Sequence, residues 1–162
     1  MEAKHFYEGL PSKPVLVART SPTLWEEPTG LEANWTLKEL HPASPSPEFT
    51  IAWRGVLGSD FVQLLDSEDV KWNSIDVVRI GVAGQCSAPV IIWVGVVPGA
   101  LSSRDGAFVA SKCQGLLNRS HFTDVYVEIR ESVVRRLATG DNGSEKEGKK
   151  EEGEEGNQAK GY

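Results

Sequence analysis

The fold is decided by the stretch Pro89-Val90-Ile91-Ile92-Trp93-Val94-Gly95-Val96-Val97. It is a continuous apolar run of strand length, and such runs are typical of a β-strand that is covered on both faces. Pro98 and Gly99 follow directly and break the strand, because proline cannot continue the hydrogen-bonded ladder and glycine favours a turn. We therefore expect this strand at the centre of a sheet.

A helix and another strand are predicted after the central strand. Ser102, with Asp105 three residues later, resembles a helix N-cap, and the helix is expected to reach about Asn118. Cys113 lies among apolar residues at helical spacing, so it is predicted to be a small core residue. Residues 124–130 then alternate as a strand does. The inward residues of this strand are predicted to be Val125, Val127 and Ile129.

Three further elements are predicted before the central strand. Ser46 as the cap and Pro47 at the first helical position predict a helix to about Asp66, although a break at Gly58 is an alternative. Residues 70–80 predict one interrupted strand, because the alternation changes phase by Ile75, as a bulge or a short break would produce. The short β-branched segment 15–19 is bounded by proline-containing turns and predicts another strand.

The order strand, helix, strand, strand, helix, strand is that of the split βαβ arrangement in ferredoxin-like folds. We therefore predict a single α+β domain with a mixed or antiparallel sheet and two helices. Residues 1–46 are expected to be a proline-rich segment with one short strand, packed on the domain. Residues 47–138 are expected to form the α+β core. Residues 139–162 are rich in Glu, Lys and Gly and are predicted to be a disordered tail.

Composition narrows the possible partners. The 162 residues carry a formal net charge of −6, and this acidity disfavours binding to nucleic acid, which needs clustered Lys and Arg. The first residues lack the apolar run of a secretory signal, and residues 89–97 are too short to span a bilayer. We therefore expect a soluble, intracellular and by default cytoplasmic protein that binds protein rather than membrane or nucleic acid. The oligomeric state stays open.

No sequence motif for catalysis is present. HExxH, GxxxxGK, GxSxG and GxGxxG do not occur, and the histidines lack a second ligand at metal spacing. Ser120, His121 and Asp124 have the residue types of a hydrolytic triad, but neighbours in one short turn rarely align in that way. The sequence therefore predicts no catalytic residue, no metal site and no cofactor. It disfavours an enzyme without excluding one.

Two places are candidates for binding. The turn after the central strand leads into a helix, and the free backbone N–H groups at the start of this helix could bind an anion. The candidate anion-binding residues are Gly99, Ser102, Ser103 and Arg104. The outward side chains of the strand at 124–130 are Tyr126, Glu128 and Arg130, and this face is expected to meet water or a partner. The leading hypothesis is a noncatalytic interaction or regulatory module. A small-anion or metabolite site at 98–104, possibly enzymatic, and a degenerate fragment without function are the alternatives.

Several segments resemble a family of uncharacterised proteins from mushroom-forming fungi. They are residues 14–20, 28–30, 72–81, 88–102 and 124–134, so the likeness covers most of the chain up to about Arg135. Longer members of that family continue into a region that resembles a trypsin-like peptidase. This chain continues instead into the Glu, Gly and Lys segment. The resemblance implies an N-terminal module without the peptidase-like part, carries over no functional residue and lowers the expectation of enzyme activity.

Overall fold

The computed structural model describes residues 1–30 and 34–134. The predicted tail 139–162 and residues 135–138 of the predicted core lie outside these ranges. In chain order the elements are helix α1 (Glu2–His5), strands β1 (Leu16–Arg19) and β2 (Lys38–Pro42), helix α2 (Pro47–Ala52), a π-helical turn (Trp53–Leu57), helix α3 (Gly58–Ser67), strands β3 (Trp72–Val82) and β4 (Val90–Val96), helix α4 (Ser103–Arg119) and strand β5 (Val125–Glu131).

The five strands form one mixed sheet in the order β1-β5-β4-β3-β2. Strands β4 and β5 are parallel and are joined through α4, whereas all other neighbours are antiparallel. The predicted apolar run is the central strand, and all seven of its residues are buried. The α+β class is confirmed, and the sheet is larger than the sequence predicted.

The ferredoxin-like order is not confirmed. In that order the first predicted strand would separate β4 from β5, but these two strands pair directly from Val90 with Val125 to Val96 with Glu131. Strand β1 instead lies at the edge, beside β5. The sequence also missed β2, so segment 1–46 provides two strands and a short helix rather than one strand. The sequence of β2 contains charged residues and a proline, which are rare in strands, so it gives no strand signal. The strand forms by pairing with β3.

The helical layer follows the predicted caps. Ser46 Oγ accepts a hydrogen bond from the N–H of Phe49, and Ser102 Oγ accepts one from Asp105. The helical run from Pro47 to Ser67 continues through Gly58 without a break. The π-helical turn Trp53–Leu57 directly precedes this glycine. A Cβ at Gly58 would lie 2.7 Å from the carbonyl oxygen of Trp53, so glycine fits the close approach that this turn creates.

Each face of the sheet has its own core. The helices cover one face, where residues such as Phe61, Val94, Cys113 and Val127 are buried together. The N-terminal segment covers the other face. The buried residues of this second core are Phe6, Tyr7, Leu10, Leu16, Ile80, Ile91 and Trp93. Within residues 1–30 and 34–134, no helix combines the length and apolar character needed to cross a membrane.

Candidate functional site

The face formed by Tyr126, Glu128 and Arg130 is not a free surface. Glu128 is only 3% exposed, and Tyr126 and Arg130 are partly buried. The alternation of β5 is as predicted, but the segment that contains Phe6 and Tyr7 packs over its second face. The expectation that Glu128 faces water or a partner is therefore corrected. Tyr126 and Arg130 keep some exposure, and each of them lines a groove.

Glu128 is the centre of a buried hydrogen-bond network. The Tyr7 hydroxyl donates to Glu128 Oε2 over 2.8 Å, and Ser21 Oγ donates to Oε1 over 3.0 Å. Trp93 Nε1 donates to the Tyr7 oxygen over 3.1 Å. A buried carboxylate costs free energy unless it is hydrogen-bonded, so Glu128 needs these partners. Since Tyr7 and Ser21 belong to the N-terminal segment, the network attaches that segment to strands β4 and β5.

Burial dominates the electrostatics of this network. Loss of hydration raises the pKa of Glu128 above its ordinary value, and the hydrogen bonds from Tyr7 and Ser21 and the charges of Lys38 and Arg19 only partly oppose this. Burial also raises the pKa of Tyr7, and the nearby charge of Glu128 adds to the effect. The folded state therefore holds the Glu128 proton more tightly than the unfolded chain does.

This difference in pKa predicts a pH-dependent effect of Glu128→Gln. Between the unfolded pKa of Glu128 and its higher folded pKa, the unfolded chain loses the proton first, so stability falls as the pH rises. Glutamine has no proton to lose. The free energy of unfolding of the wild type minus that of Glu128→Gln should therefore decrease as the pH rises above about 4, the ordinary pKa of glutamate.

Urea unfolding at several pH values measures this difference. Glu27→Gln is the matched control, because it makes the same substitution at an exposed glutamate of the N-terminal segment. A difference for Glu128→Gln that stays flat, or that grows with pH, would contradict the buried environment of Glu128.

Arg130 lies beside this network on the same face of the sheet. The carbon at the centre of its guanidinium group lies 3.6 Å from the centre of the Trp93 ring, so the two groups stack. The side chain is only 12% exposed. Its Nη2 is 3.8 Å from Oδ2 of Asp76, and its Nε has no hydrogen-bond partner among the described residues. Stacking on Trp93 therefore holds the guanidinium group in place, while its Nε–H has no acceptor among the described residues.

Two more unpartnered polar atoms lie next to Gly95. Ser74 and Arg130 are the register neighbours of Gly95 on its two sides, so all three face the same way. The predicted bulge places Asn73 there too: a Cβ at Gly95 would lie 2.3 Å from Ser74 Oγ and 2.8 Å from Asn73 Oδ1. Ser74 Oγ and Asn73 Oδ1 are buried without a partner in the described part of the chain.

A groove of about 750 Å³ opens beside these residues. Its walls come from residues 11–15, the turn after β4 and the end of β5. The lining residues are Pro11, Ser12, Lys13, Pro14, Val15, Pro98, Arg130, Glu131, Ser132 and Val133. Ser132 connects the groove to the polar atoms around Gly95, because its carbonyl accepts from Asn73 Nδ2 over 2.7 Å. We call Asn73, Ser74, Gly95 and Arg130 the Arg130 site.

The turn predicted to bind an anion has internal partners. The N–H of Gly99 donates to Oε1 of Glu131 over 3.0 Å, and Ser102 caps α4. Ser103 and Arg104 are exposed at the start of that helix. The Gly99 amide is therefore already bonded to a carboxylate of the chain itself, at the edge of the groove that Glu131 lines. Ser102, Ser103 and Arg104 do not line that groove.

Other predicted chemistry-bearing residues are dispersed. Cys113 is buried in the helical-face core as expected, and burial raises its pKa to about 12. His5 stacks on Trp35, and His41 lies on β2 beside Glu39. Among residues 1–30 and 34–134, no group of three or more His, Cys, Asp or Glu residues is arranged to hold a metal ion.

Sequence reasoning missed Asn73, Ser74 and Gly95. Two signals point to them: a glycine within an otherwise bulky apolar strand marks a close approach, and the phase change near residue 73 marks a bulge. Their joint meaning depends on the β3–β4 register, which the sequence does not specify. Comparison of the chain with protein-family models, with curated proteins and with solved structures gave no match.

Proposed function

We propose that this chain is a noncatalytic binding module and that Arg130 holds an anionic group of its partner. The observation that supports the proposal is the environment of Arg130, a residue that lines an open groove. Its guanidinium group is mostly buried and stacked on Trp93, and its buried Nε has no partner among the described residues. A buried charge is costly unless it is paired and hydrogen-bonded. A bound carboxylate or phosphate would supply both.

The nearest acid does not fulfil this role. Asp76 is half exposed, and its oxygen is 3.8 Å from Arg130 Nη2, which is too far for a hydrogen bond. Burial lowers the pKa of Arg130, and the opposing effects of Tyr7 and Asp76 are smaller. The guanidinium charge is therefore undercompensated, and an anion in the groove would gain charge-assisted hydrogen bonds.

The chemistry of arginine favours binding over catalysis. Its planar fork of N–H donors matches the two oxygens of a carboxylate, and it stays protonated in proteins, so it does not act as a general base. Stacking on Trp93 fixes the orientation of the fork before a ligand arrives, which lowers the entropy lost on binding. Arg130 was predicted as an interaction residue from the alternation of β5, and the proposal keeps that role for it alone.

The test is the thermal stability of the wild type and Arg130→Gln in sodium acetate and in sodium phosphate, against sodium chloride of equal ionic strength. Selective binding to the folded state raises the unfolding midpoint. We expect the wild-type midpoint to rise with acetate or phosphate and the rise to vanish in Arg130→Gln, because losing a charged hydrogen-bond donor costs about 1.5–3 kcal/mol.

Arg104→Gln is the matched control. It removes an exposed arginine from the turn at 98–104 and should leave the rise in midpoint intact. If Arg104→Gln abolishes the rise and Arg130→Gln does not, the anion binds at the turn instead. If neither anion raises the wild-type midpoint, the proposal for Arg130 is wrong.

A further inference from the structure

We infer that Arg130 also binds an acidic run of its own chain, Glu151-Glu152-Gly153-Glu154-Glu155, and that this run competes with the anionic group of a partner. This inference rests on the binding role proposed for Arg130, and it adds an autoinhibitory contact at the same groove. It comes from the place where the described part of the chain ends and from the distribution of charge in the sequence that follows.

The described part of the chain ends beside the groove that Arg130 lines. Ser132 and Val133 belong to the wall of this groove, and Val134 is the last residue described. Residues 135–150 connect Val134 with the acidic run, and a stretch of this length can span up to about 50 Å. The acidic run is therefore close enough along the chain to reach the groove.

The charged residues that line the groove leave Arg130 for an incoming carboxylate. Lys13 forms an ion pair with Glu8 over 3.2 Å, and 68% of its side chain is exposed. Glu131 is the one carboxylate among the described lining residues, and it accepts the hydrogen bond from the Gly99 amide. The charged neighbours of Arg130 in the groove therefore have partners elsewhere, whereas Arg130 has only the distant Asp76.

Charge complementarity selects residues 151–155 from the rest of the sequence. Arg135 and Arg136 follow Val134 directly, so chain connectivity keeps two more cations near this end of the groove. Residues 141–150 mix acids with lysines, whereas residues 151–155 carry four carboxylates and no lysine. Opposite charges attract and like charges repel, so the run without lysine is the part that the groove favours.

Glutamate side chains suit a guanidinium group that is mostly buried. The Arg130 side chain is only 12% exposed, so its acceptor has to project from a backbone into the groove. The two methylene groups of glutamate provide this reach and can contact the apolar lining of the groove. These apolar lining residues are Pro11, Pro14, Val15, Pro98 and Val133. The carboxylate then accepts charge-assisted hydrogen bonds from Arg130.

The contact lowers the affinity of Arg130 for other anions without abolishing it. A group that is tethered near its site acts at a local concentration of the order of millimolar, so an anion in large excess displaces it. The apparent dissociation constant of that anion rises in inverse proportion to the fraction of sites left free. A partner with further contacts in the groove therefore replaces the run.

The test compares the acetate dissociation constants of full-length chains, obtained from unfolding midpoints at increasing sodium acetate and constant ionic strength. The run variant combines Glu151→Gln, Glu152→Gln, Glu154→Gln and Glu155→Gln. We expect acetate to bind the run variant at least about twofold tighter than the wild type, since twofold corresponds to a run that occupies half of the sites. The wild type should still respond, because acetate in excess displaces the run.

A matched control removes the same number of charges elsewhere. The control variant combines Glu26→Gln, Asp141→Asn, Glu145→Gln and Glu147→Gln, and Glu26 is exposed in the N-terminal segment. It should bind acetate as the wild type does. Equal acetate affinities of the wild type and the run variant would overturn the inference. An equal gain in both variants would also overturn it, because net charge rather than the run would then be responsible.

Peptides test the contact without the connecting residues. The probes are acetyl-EEGEE-amide, which has the sequence of the run, and acetyl-QQGQQ-amide, which lacks its charges. The first peptide should raise the unfolding midpoint of the run variant more than the second does at equal ionic strength. This difference should vanish when the run variant also carries Arg130→Gln. Equal effects of the two peptides would contradict the contact.

The outcomes separate this inference from the proposal for Arg130. If acetate acts through Arg130 with the same affinity in the wild type and the run variant, the binding role stands and the autoinhibitory contact is wrong. If the acidic peptide acts equally with and without Arg130, the run binds elsewhere and the inference is wrong. If acetate raises the midpoint of neither the wild type nor the run variant, both are wrong.

Discussion

Tyr7→Ala is expected to lower the free energy of unfolding by about 3–5 kcal/mol, as for other large buried aromatic residues. Tyr7 is 1% exposed and packs edge-on against Trp93, with 5.7 Å between the ring centres. The substitution opens a cavity and also removes a hydrogen bond to the buried carboxylate of Glu128. Urea unfolding of the full chain measures the loss.

Two variants separate the sources of this effect. Tyr7→Phe keeps the ring and removes the hydroxyl, so it should cost about 1–3 kcal/mol, the cost of leaving a buried polar group unpaired. Leu24→Ala is the control, because Leu24 is 85% exposed in the same N-terminal region and should change stability by about 0.5 kcal/mol or less. A loss for Tyr7→Ala below about 1 kcal/mol would show that the N-terminal segment is not part of the folded core.

Gly95→Val is expected to destabilise the protein by about 1–3 kcal/mol, through overpacking, and to abolish anion binding by Arg130. A Cβ at this position would lie 2.3 Å from Ser74 Oγ, 2.8 Å from Asn73 Oδ1 and 2.8 Å from Ser132 Cβ. The neighbouring strands on both sides must therefore shift or change rotamers. Urea unfolding and the acetate-dependent midpoint measure the two effects.

Gly115→Ala is the control for Gly95→Val. Gly115 lies in the interior of α4 with no neighbouring atom within 4 Å of an added Cβ, so alanine should stabilise the helix by about 0.5–1 kcal/mol. It should also leave the acetate effect unchanged. Gly95→Val with wild-type stability and undiminished anion binding would contradict the close packing of polar side chains over Gly95.

Short sequence patterns correctly predicted the features of the fold that depend on residues close together in the chain. The apolar run of β4 identified the central strand, Ser46 and Ser102 identified the starts of two helices, and the phase change near residue 73 identified the bulge. Each of these depends on neighbours a few residues apart in the sequence. They can therefore be inferred without knowledge of the tertiary structure.

Strand order and the covering of the second face depend on distant contacts. The segment 38–42 contains Lys, Glu, His and Pro and becomes a strand by pairing with β3. The alternation of β5 is compatible with a second face that is either exposed to solvent or buried. The burial of Glu128 follows only from the packing of Phe6 and Tyr7, which lie about 120 residues earlier in the sequence. The Arg130 site was hidden for the same reason, because its four residues come from three strands.

The second core connects the N-terminal segment to the Arg130 site through Trp93. The ring of Trp93 stacks with Arg130, while its Nε1 donates to Tyr7, which in turn donates to Glu128. The position of the guanidinium group therefore depends on a tryptophan whose other contacts belong to the N-terminal segment. This arrangement explains why a charged residue on β5 can be rigid without a close ion pair.

The most direct test of the binding role is the NMR resonance of the Arg130 Nε–H group in the full-length, ¹⁵N-labelled chain, assigned by its loss in Arg130→Lys and followed during titration with sodium acetate. Sodium chloride of equal ionic strength is the control. We predict a saturable downfield shift of this resonance with acetate alone, as Nε gains the acceptor that it lacks within the described residues. A resonance that does not respond to acetate, or that responds equally to chloride, would contradict the role of Arg130 as an anion receptor.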